Sequence, residues 1–172
     1  MQTSEAIEGV RKDIRLSDNS TVFINSGSRI SYPEEFTADE RVVRLEGEAY
    51  FVVERNETKP FVVKTEALQV TVLGTEFNVA EYSDAGITEV VLHKGLIEVA
   101  AGGRSVRMLP GESLSYHHST KEMIIESVEL EDVPIGDVMY ANNRTLQELF
   151  RMIANYYDVE IVFEDGAFDG TE

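Results

Sequence analysis

Three histidines are the first side chains of this sequence to consider for metal chemistry, and their spacing does not suit a metal site. His117 and His118 are adjacent, and adjacent residues on a strand point to opposite faces, so these two cannot easily share an ion. A cupin-like metal site needs two histidines at alternate positions of one strand. Because the chain has no cysteine, thiolate metal sites, disulfides and thiol catalysis are excluded. We expect no metal and no other cofactor.

Serine and carboxylate catalysis lack a recognisable pattern as well. There is no Gly-x-Ser-x-Gly turn. Adjacent carboxylates such as Glu34 and Glu35 are expected by chance among 32 acidic residues. Gly102 and Gly103 lie between two strand patterns, which predicts a hairpin turn and not a phosphate-binding loop. We therefore expect a protein that is not an enzyme, with a hydrolase that uses an unrecognised acidic pair as one alternative.

The tyrosines offer a second alternative. Tyr32, Tyr50, Tyr82 and Tyr116 could form a platform on which a sugar ring stacks, as in a carbohydrate-binding β-sandwich module. The aromatic face of a sandwich is more often part of the core, so this alternative ranks below a protein-binding module.

Charge excludes two further classes of partner. The chain of 172 residues has a formal net charge of -17, which argues against nucleic acid and anionic membranes as partners. With 42% hydrophobic residues it belongs with folded globular proteins. No stretch approaches the roughly 20 apolar residues of a membrane-spanning helix, so we expect no membrane contact by this part of the protein.

Short apolar runs with a period of two residues fill the chain from about residue 13 to residue 128. Glycine, proline, asparagine and serine clusters separate them, which predicts a mainly β domain, a sandwich or β-roll, over residues 1–130. Residues 49–53 are apolar on both faces of their strand and are expected in the middle of a sheet. Residues 106–108 and 114–116 flank a Leu-Pro-Gly-Glu turn and predict a hairpin with one wet face.

The pattern changes after residue 130. Thr145 and Glu148 have the spacing of a capping box. A helical stripe follows, formed by Leu146, Leu149, Phe150, Ile153 and Tyr157. Residues 159–163 then have the composition of a strand. We predict a small α+β appendage with β, α, β order over residues 131–172.

Three stretches carry a specific family resemblance: residues 45–53 (LEGEAYFVV), 60–65 (PFVVKT) and 72–79 (VLGTEFNV). In this order and spacing they closely resemble the FecR family of anti-sigma regulators. The motif positions are Gly47, Tyr50, Phe51, Phe61, Gly74, Phe77, Asn78, Gly95 and Gly111. We expect the glycines at turns or bulges and the phenylalanines in the core.

The C-terminal segment resembles the last domain of Bacteroidetes-type FecR proteins, which is similar to the short N-terminal domain of secretins and TonB-dependent receptors. It departs from that pattern by having no tryptophan near Val133. The family's domain continues through a second β, α, β half, so residues 131–172 are expected to be a partial domain.

The resemblance implies a single-pass inner-membrane protein, of which this chain is the periplasmic fragment. In that family a cytoplasmic segment, absent here, binds an extracytoplasmic-function sigma factor, and the periplasmic part senses the N-terminal signalling domain of a TonB-dependent receptor. The candidate partner-binding residues are the unpaired edge Val159, Glu160, Ile161, Val162 and Phe163, with Gln147 and Arg151 on the exposed face of the helix. The same edge could pair with a second copy of the chain.

Overall fold

The protein is a sandwich of two seven-stranded β-sheets, observed in a computed structural model that describes residues 1–7, 11–128 and 130. The described strands are β1 (Gln2–Glu5), β2 (Lys12–Arg15), β3 (Thr21–Ile24), β4 (Arg29–Tyr32), β5 (Arg41–Glu46), β6 (Glu48–Val52), β7 (Phe61–Lys64), β8 (Gln69–Val72), β9 (Glu76–Tyr82), β10 (Ile87–Lys94), β11 (Ile97–Ala101), β12 (Arg104–Met108), β13 (Glu112–His117) and β14 (Glu122–Ser127). A short 3-10 helix, Ser83–Ala85, joins β9 to β10. The predicted mainly β sandwich is confirmed.

The chain changes sheet after almost every pair of strands. The first sheet has the order β1-β4-β5-β7-β8-β11-β12, and the second has the order β14-β13-β10-β9-β6-β3-β2. The pairs are antiparallel except β5 with β7, which is parallel. β6 lies between β3 and β9 inside the second sheet, as the apolar character of both its faces predicts.

Alternation along each strand directs one set of side chains into the space between the sheets. Phe61 enters it from the first sheet and Phe51 and Phe77 from the second, and all three are fully buried. The rings of Phe51 and Phe77 stack with centroids 5.0 Å apart, and Phe51 meets Phe61 edge-on across the two sheets at 6.3 Å. Such aromatic pairs add to the burial that holds the two layers together.

The hairpin predicted around the Leu-Pro-Gly-Glu turn is wrong. β12 pairs with β11 in the first sheet, whereas β13 pairs with β10 and β14 in the second. The turn is instead a crossover between sheets, in which the Leu109 amide donates to the Glu112 carboxylate at 2.6 Å. The alternation predicted the buried faces of both strands correctly, because the Met108 and Leu114 side chains lie in the core. Met108 enters the core from the first sheet and Leu114 from the second. The predicted hairpin at Gly102 and Gly103 is confirmed between β11 and β12.

One buried cation at the start of β5 joins two loops at an end of the sandwich. The Arg41 side chain is 2% exposed and its guanidinium donates to the Asp18 carboxylate at 2.7 Å. It also donates to the carbonyl oxygens of Glu54 and Lys59, each at 2.9 Å, and lies over the Phe61 ring at 5.4 Å from its centroid. A buried guanidinium with a single carboxylate partner depends strongly on that partner.

We predict that Asp18→Ala lowers the free energy of unfolding by about 3 kcal/mol, because it leaves the Arg41 charge buried without its carboxylate. The matched control is Glu46→Ala, which removes one of the two carboxylate partners of exposed Arg29, the one at 3.5 Å, and is expected to change stability by about 0.5 kcal/mol or less. Urea unfolding followed by circular dichroism measures both. Equal losses in the two variants would contradict this account of Arg41.

Candidate functional site

The partner-binding residues predicted from the sequence lie outside the described residues. This applies to Val159, Glu160, Ile161, Val162 and Phe163 and to Gln147 and Arg151, as it does to the whole predicted domain at residues 131–172. Their role stays a prediction. A candidate contact surface is nevertheless present on the sandwich itself.

Exposed large apolar side chains mark that surface. In the described part of the chain these side chains are Met1, Ile7, Leu73, Leu96, Leu109 and Ile125. Leu73, Leu96 and Leu109 are 41%, 52% and 59% exposed, respectively. Scattered apolar residues need no explanation, but a contiguous group of them often marks an interaction site.

The three leucines are neighbours because of strand register. Val72 of β8, Ile97 of β11 and Met108 of β12 lie side by side and point into the core. In antiparallel ladders the next residue on β8 and on β12, and the preceding residue on β11, form the adjacent row. That row consists of Leu73, Leu96 and Leu109, which we call the leucine row. It faces away from the core, since the adjacent residue along each chain segment, Val72, Ile97 or Met108, is buried.

A groove adjoins the leucine row on the outer face of the first sheet. It encloses about 410 Å³, and Thr71, Glu98 and Arg107 line it from β8, β11 and β12. Glu98 and Arg107 form an exposed ion pair at 3.7 Å, and Arg55 at the rim pairs with Glu57 at 2.5 Å. The rim therefore carries both signs of charge around an apolar centre. This arrangement resembles the apolar core and polar rim of a protein interface.

The leucine row lies beside the edge of its sheet. β12 is the last strand of the first sheet. An edge strand presents backbone donors and acceptors to which a partner's extended segment can pair. The site therefore combines exposed apolar side chains with a backbone edge, and both are features of protein recognition.

Two motif glycines hold the backbone that presents the leucine row. Gly95 has φ +98°, and a Cβ added there would lie 2.9 Å from both the Gly74 carbonyl oxygen and Thr75 Oγ1. Thr75 Oγ1 also donates to the Leu96 carbonyl oxygen at 3.2 Å, and the Asn56 amide donates to the Leu73 carbonyl oxygen at 2.7 Å. The strand ends are thus packed backbone against backbone, with no room for a side chain.

A different motif residue, Asn78, belongs to a buried polar cluster on the outer face of the second sheet. Its amide nitrogen donates to Glu48 Oε1 at 3.1 Å, and the Asn25 amide nitrogen donates to Glu48 Oε2 at 3.0 Å. Each of the three residues is 8% exposed. Burial raises the pKa of the Glu48 carboxyl above its usual value, although both amides and the positive charge of Arg11 act in the opposite direction.

The tyrosines do not form an exposed stacking platform. Tyr50, Tyr82 and Tyr116 are each at most 7% exposed, and Tyr32 is partly buried. Tyr116 belongs to the core between the sheets, whereas Tyr50 lies on the opposite face and meets His93 edge-on at 5.1 Å. The observation that motivated a carbohydrate-binding module is therefore not present.

Neither a metal cluster nor a membrane span occurs within the described ranges. No group of three histidine, aspartate or glutamate side chains there is placed to hold an ion. Over the same residues, no helix has the length and apolar character needed to cross a bilayer.

Comparison with known proteins gives a consistent family and fold. The sequence model of the family described as FecR protein matches residues 2–98. A crystal structure at 1.65 Å of a protein from Parabacteroides distasonis ATCC 8503, classed as a candidate anti-sigma factor, shares 30% identity with this chain and has a TM-score of 0.86. The match covers 98% of this chain and 80% of that protein. A second crystal structure at 2.50 Å, of a protein with the same description and source, gives 29% identity, a TM-score of 0.86 and coverages of 99% and 81%. Among curated proteins, none matches this chain.

We predict that Gly95→Ala lowers the free energy of unfolding by about 3 kcal/mol, through its positive φ and its contacts with the Gly74 and Thr75 backbone region. Gly103→Ala is the matched control, since Gly103 has φ +79° with open space around it, and we expect a loss of about 1 kcal/mol. Denaturant unfolding at equilibrium compares the two. Similar losses would show that backbone conformation alone, and not the close packing, determines the effect.

The raised pKa of Glu48 predicts a pH-dependent contribution to stability. A carboxyl with a folded pKa above its unfolded value of 4.5 stabilises the fold most below pH 4.5 and loses that contribution as pH rises through the folded pKa. The difference in unfolding free energy, wild type minus Glu48→Gln, should therefore fall between pH 4.5 and neutral pH. A difference that stays constant over this range would contradict the assignment.

Proposed function

This chain belongs to the FecR family, and from that membership we propose that it is the periplasmic sensor domain of a transmembrane anti-sigma regulator. In this proposal it relays the state of a TonB-dependent outer-membrane receptor to an extracytoplasmic-function sigma factor. The relay works by protein contact and not by catalysis. In this proposal the sigma factor binds a cytoplasmic segment of the regulator.

The observation that carries the proposal is the leucine row beside the β12 edge. Three leucines at least 41% exposed in one row present apolar area that a partner can bury, at about 25 cal/mol for each square ångström removed from water. The occupant we propose is the N-terminal signalling domain of the receptor. A rim carrying Arg55, Glu98 and Arg107 gives such a domain charged groups that fix its orientation.

Charge favours this partner over a second copy of the chain. Two copies would each bring a net charge of -17, and like charges oppose association at moderate salt. A homodimer through an exposed edge remains an outcome that the test below detects. The edge at residues 159–163, predicted from the sequence, is the competing contact site for the receptor domain.

Rigid presentation suits a sensor that works by contact. The leucine row rests on backbone hydrogen bonds and on the Gly74 to Gly95 packing, so little side-chain or loop ordering is needed when a partner binds. A preorganised surface loses less conformational entropy on binding. We infer that the sandwich receives the receptor domain without rearrangement and that the signal passes on through its attachment to the rest of the regulator.

The test is a calorimetric titration of the full chain with the purified N-terminal signalling domain of the TonB-dependent receptor encoded beside it. We expect saturable one-to-one binding. Leu96→Asp should weaken it at least tenfold, because a carboxylate would lie in the apolar centre of the interface. The control is Ile125→Asp, which adds the same charge at a 40% exposed apolar residue of β14 in the second sheet, and it should bind like the wild type.

Three outcomes separate the alternatives. Normal binding by Leu96→Asp together with lost binding by Ile161→Asp would move the contact to residues 159–163. Concentration-dependent self-association without receptor binding would favour the homodimer. No binding of the receptor domain by folded wild-type chain would overturn the proposed partner.

A further inference from the structure

One half of the outer face of the second sheet is buried, although no described strand lies over it. All fourteen described strands belong to the two sheets, so the described part of the chain contains no third layer of strands. The buried apolar side chains on this half are Ala80, Tyr82, Ile87 and Val91, which we call the outer patch. Their exposed fractions are 1%, 7%, 1% and 0%, respectively.

Strand alternation separates the outer patch from the core between the sheets. Val90 and Leu92 of β10 belong to that core, so Val91 between them points to the outer face. Ala80 and Tyr82 of β9 form an apolar cluster of their own beside the short 3-10 helix. The core therefore does not account for the burial of the outer patch.

The neighbours of Val91 across the strand ladder are too short to cover it. They are Asn78 of β9 and Ser113 of β13, and neither side chain closes over a valine. On the outer face of the first sheet, by contrast, Glu98 and Arg107 are exposed. The outer face of an antiparallel sheet contacts water unless another part of the protein lies on it. Complete burial of Val91 therefore requires a cover that the described strands do not provide.

Burial of the outer face increases toward β14. Asp13 and Arg15 of β2, at the far edge of this sheet, are exposed, whereas the outer patch lies on β9 and β10. β14 is the last described strand, and the chain continues from it into residues 131–172. β10 is two strands from β14, about 10 Å away. A few extended residues, at about 3.3 Å each, are enough to reach it.

The segment after β14 has the size and composition of a layer that depends on a larger body. The chain outside the described ranges consists of residues 8–10, residue 129 and residues 131–172, and only the last is long enough to cover several strands. It contains the predicted apolar helix stripe and the predicted strand at residues 159–163. A unit of about 40 residues without cysteine rarely buries enough apolar surface to fold alone.

We propose that residues 131–172 dock on the outer patch and form a third layer over β9, β10 and β13. The outer patch is buried within a single chain, which favours a segment of the same chain over a second copy as the occupant. Docking removes apolar surface of the patch and of the segment from water together. The outer patch and the leucine row lie on opposite sheets, so this inference does not depend on the proposed receptor contact.

The experiment is methyl NOE spectroscopy on the full chain with labelled isoleucine, leucine and valine methyl groups. We expect NOEs from the Ile87 and Val91 methyl groups to methyl groups of residues 131–172. A sample that mixes two differently labelled chains separates contacts within a chain from contacts between chains. NOEs from Ile87 and Val91 to residues of the sandwich only, or to a second copy only, would overturn the proposal.

A variant pair tests the contact from the side of the sheet. Val91→Glu places a carboxylate in the apolar contact and should shift the methyl resonances of residues 131–172 toward those of the urea-unfolded chain. The control is Val42→Glu, the same change at a half-buried, outward-facing position of β5 in the first sheet, and it should leave these resonances in place. Equal shifts in the two variants, or none in Val91→Glu, would contradict the docking. If Val91→Glu does not fold, the NOEs of the wild type still decide.

Discussion

The structure depends on burying one apolar layer between two sheets that share a single chain. Each strand directs alternate side chains inward, so Phe51 and Phe77 meet Phe61 from the opposite layer. To build both layers together, the chain must cross between sheets after nearly every strand pair. The crossovers gather at the ends of the sandwich, where the backbone has to turn tightly, and glycines therefore stand at these points. The leucine row lies at such an end, fixed by Gly74 and Gly95.

The sequence predicted those features that depend on the pattern within one strand. The hydrophobic period of two residues predicted the strands and their buried faces. The apolar character of both faces predicted residues 49–53 inside a sheet, where β6 is found. It could not give strand partners, because alternation reports which face is buried and not which strand is adjacent. For this reason the turn at Leu109 to Glu112 was predicted as a hairpin, although it connects two sheets.

The candidate site was missed for the same reason. Leu73, Leu96 and Leu109 each follow or precede a glycine or proline and look like isolated turn residues. They become a surface only through the register of β8, β11 and β12. The buried polar cluster of Asn25, Glu48 and Asn78 likewise needs β3, β6 and β9 side by side.

The central claim is that the receptor domain docks on the leucine row of the first sheet. Hydrogen exchange on the full chain, with and without saturating receptor signalling domain, tests it most directly because it reports every strand at once. The account predicts increased protection in β12 and in the residues that carry Leu73, Leu96 and Leu109, with β14 unchanged. Increased protection confined to residues 159–163, with the leucine row unchanged, would contradict it.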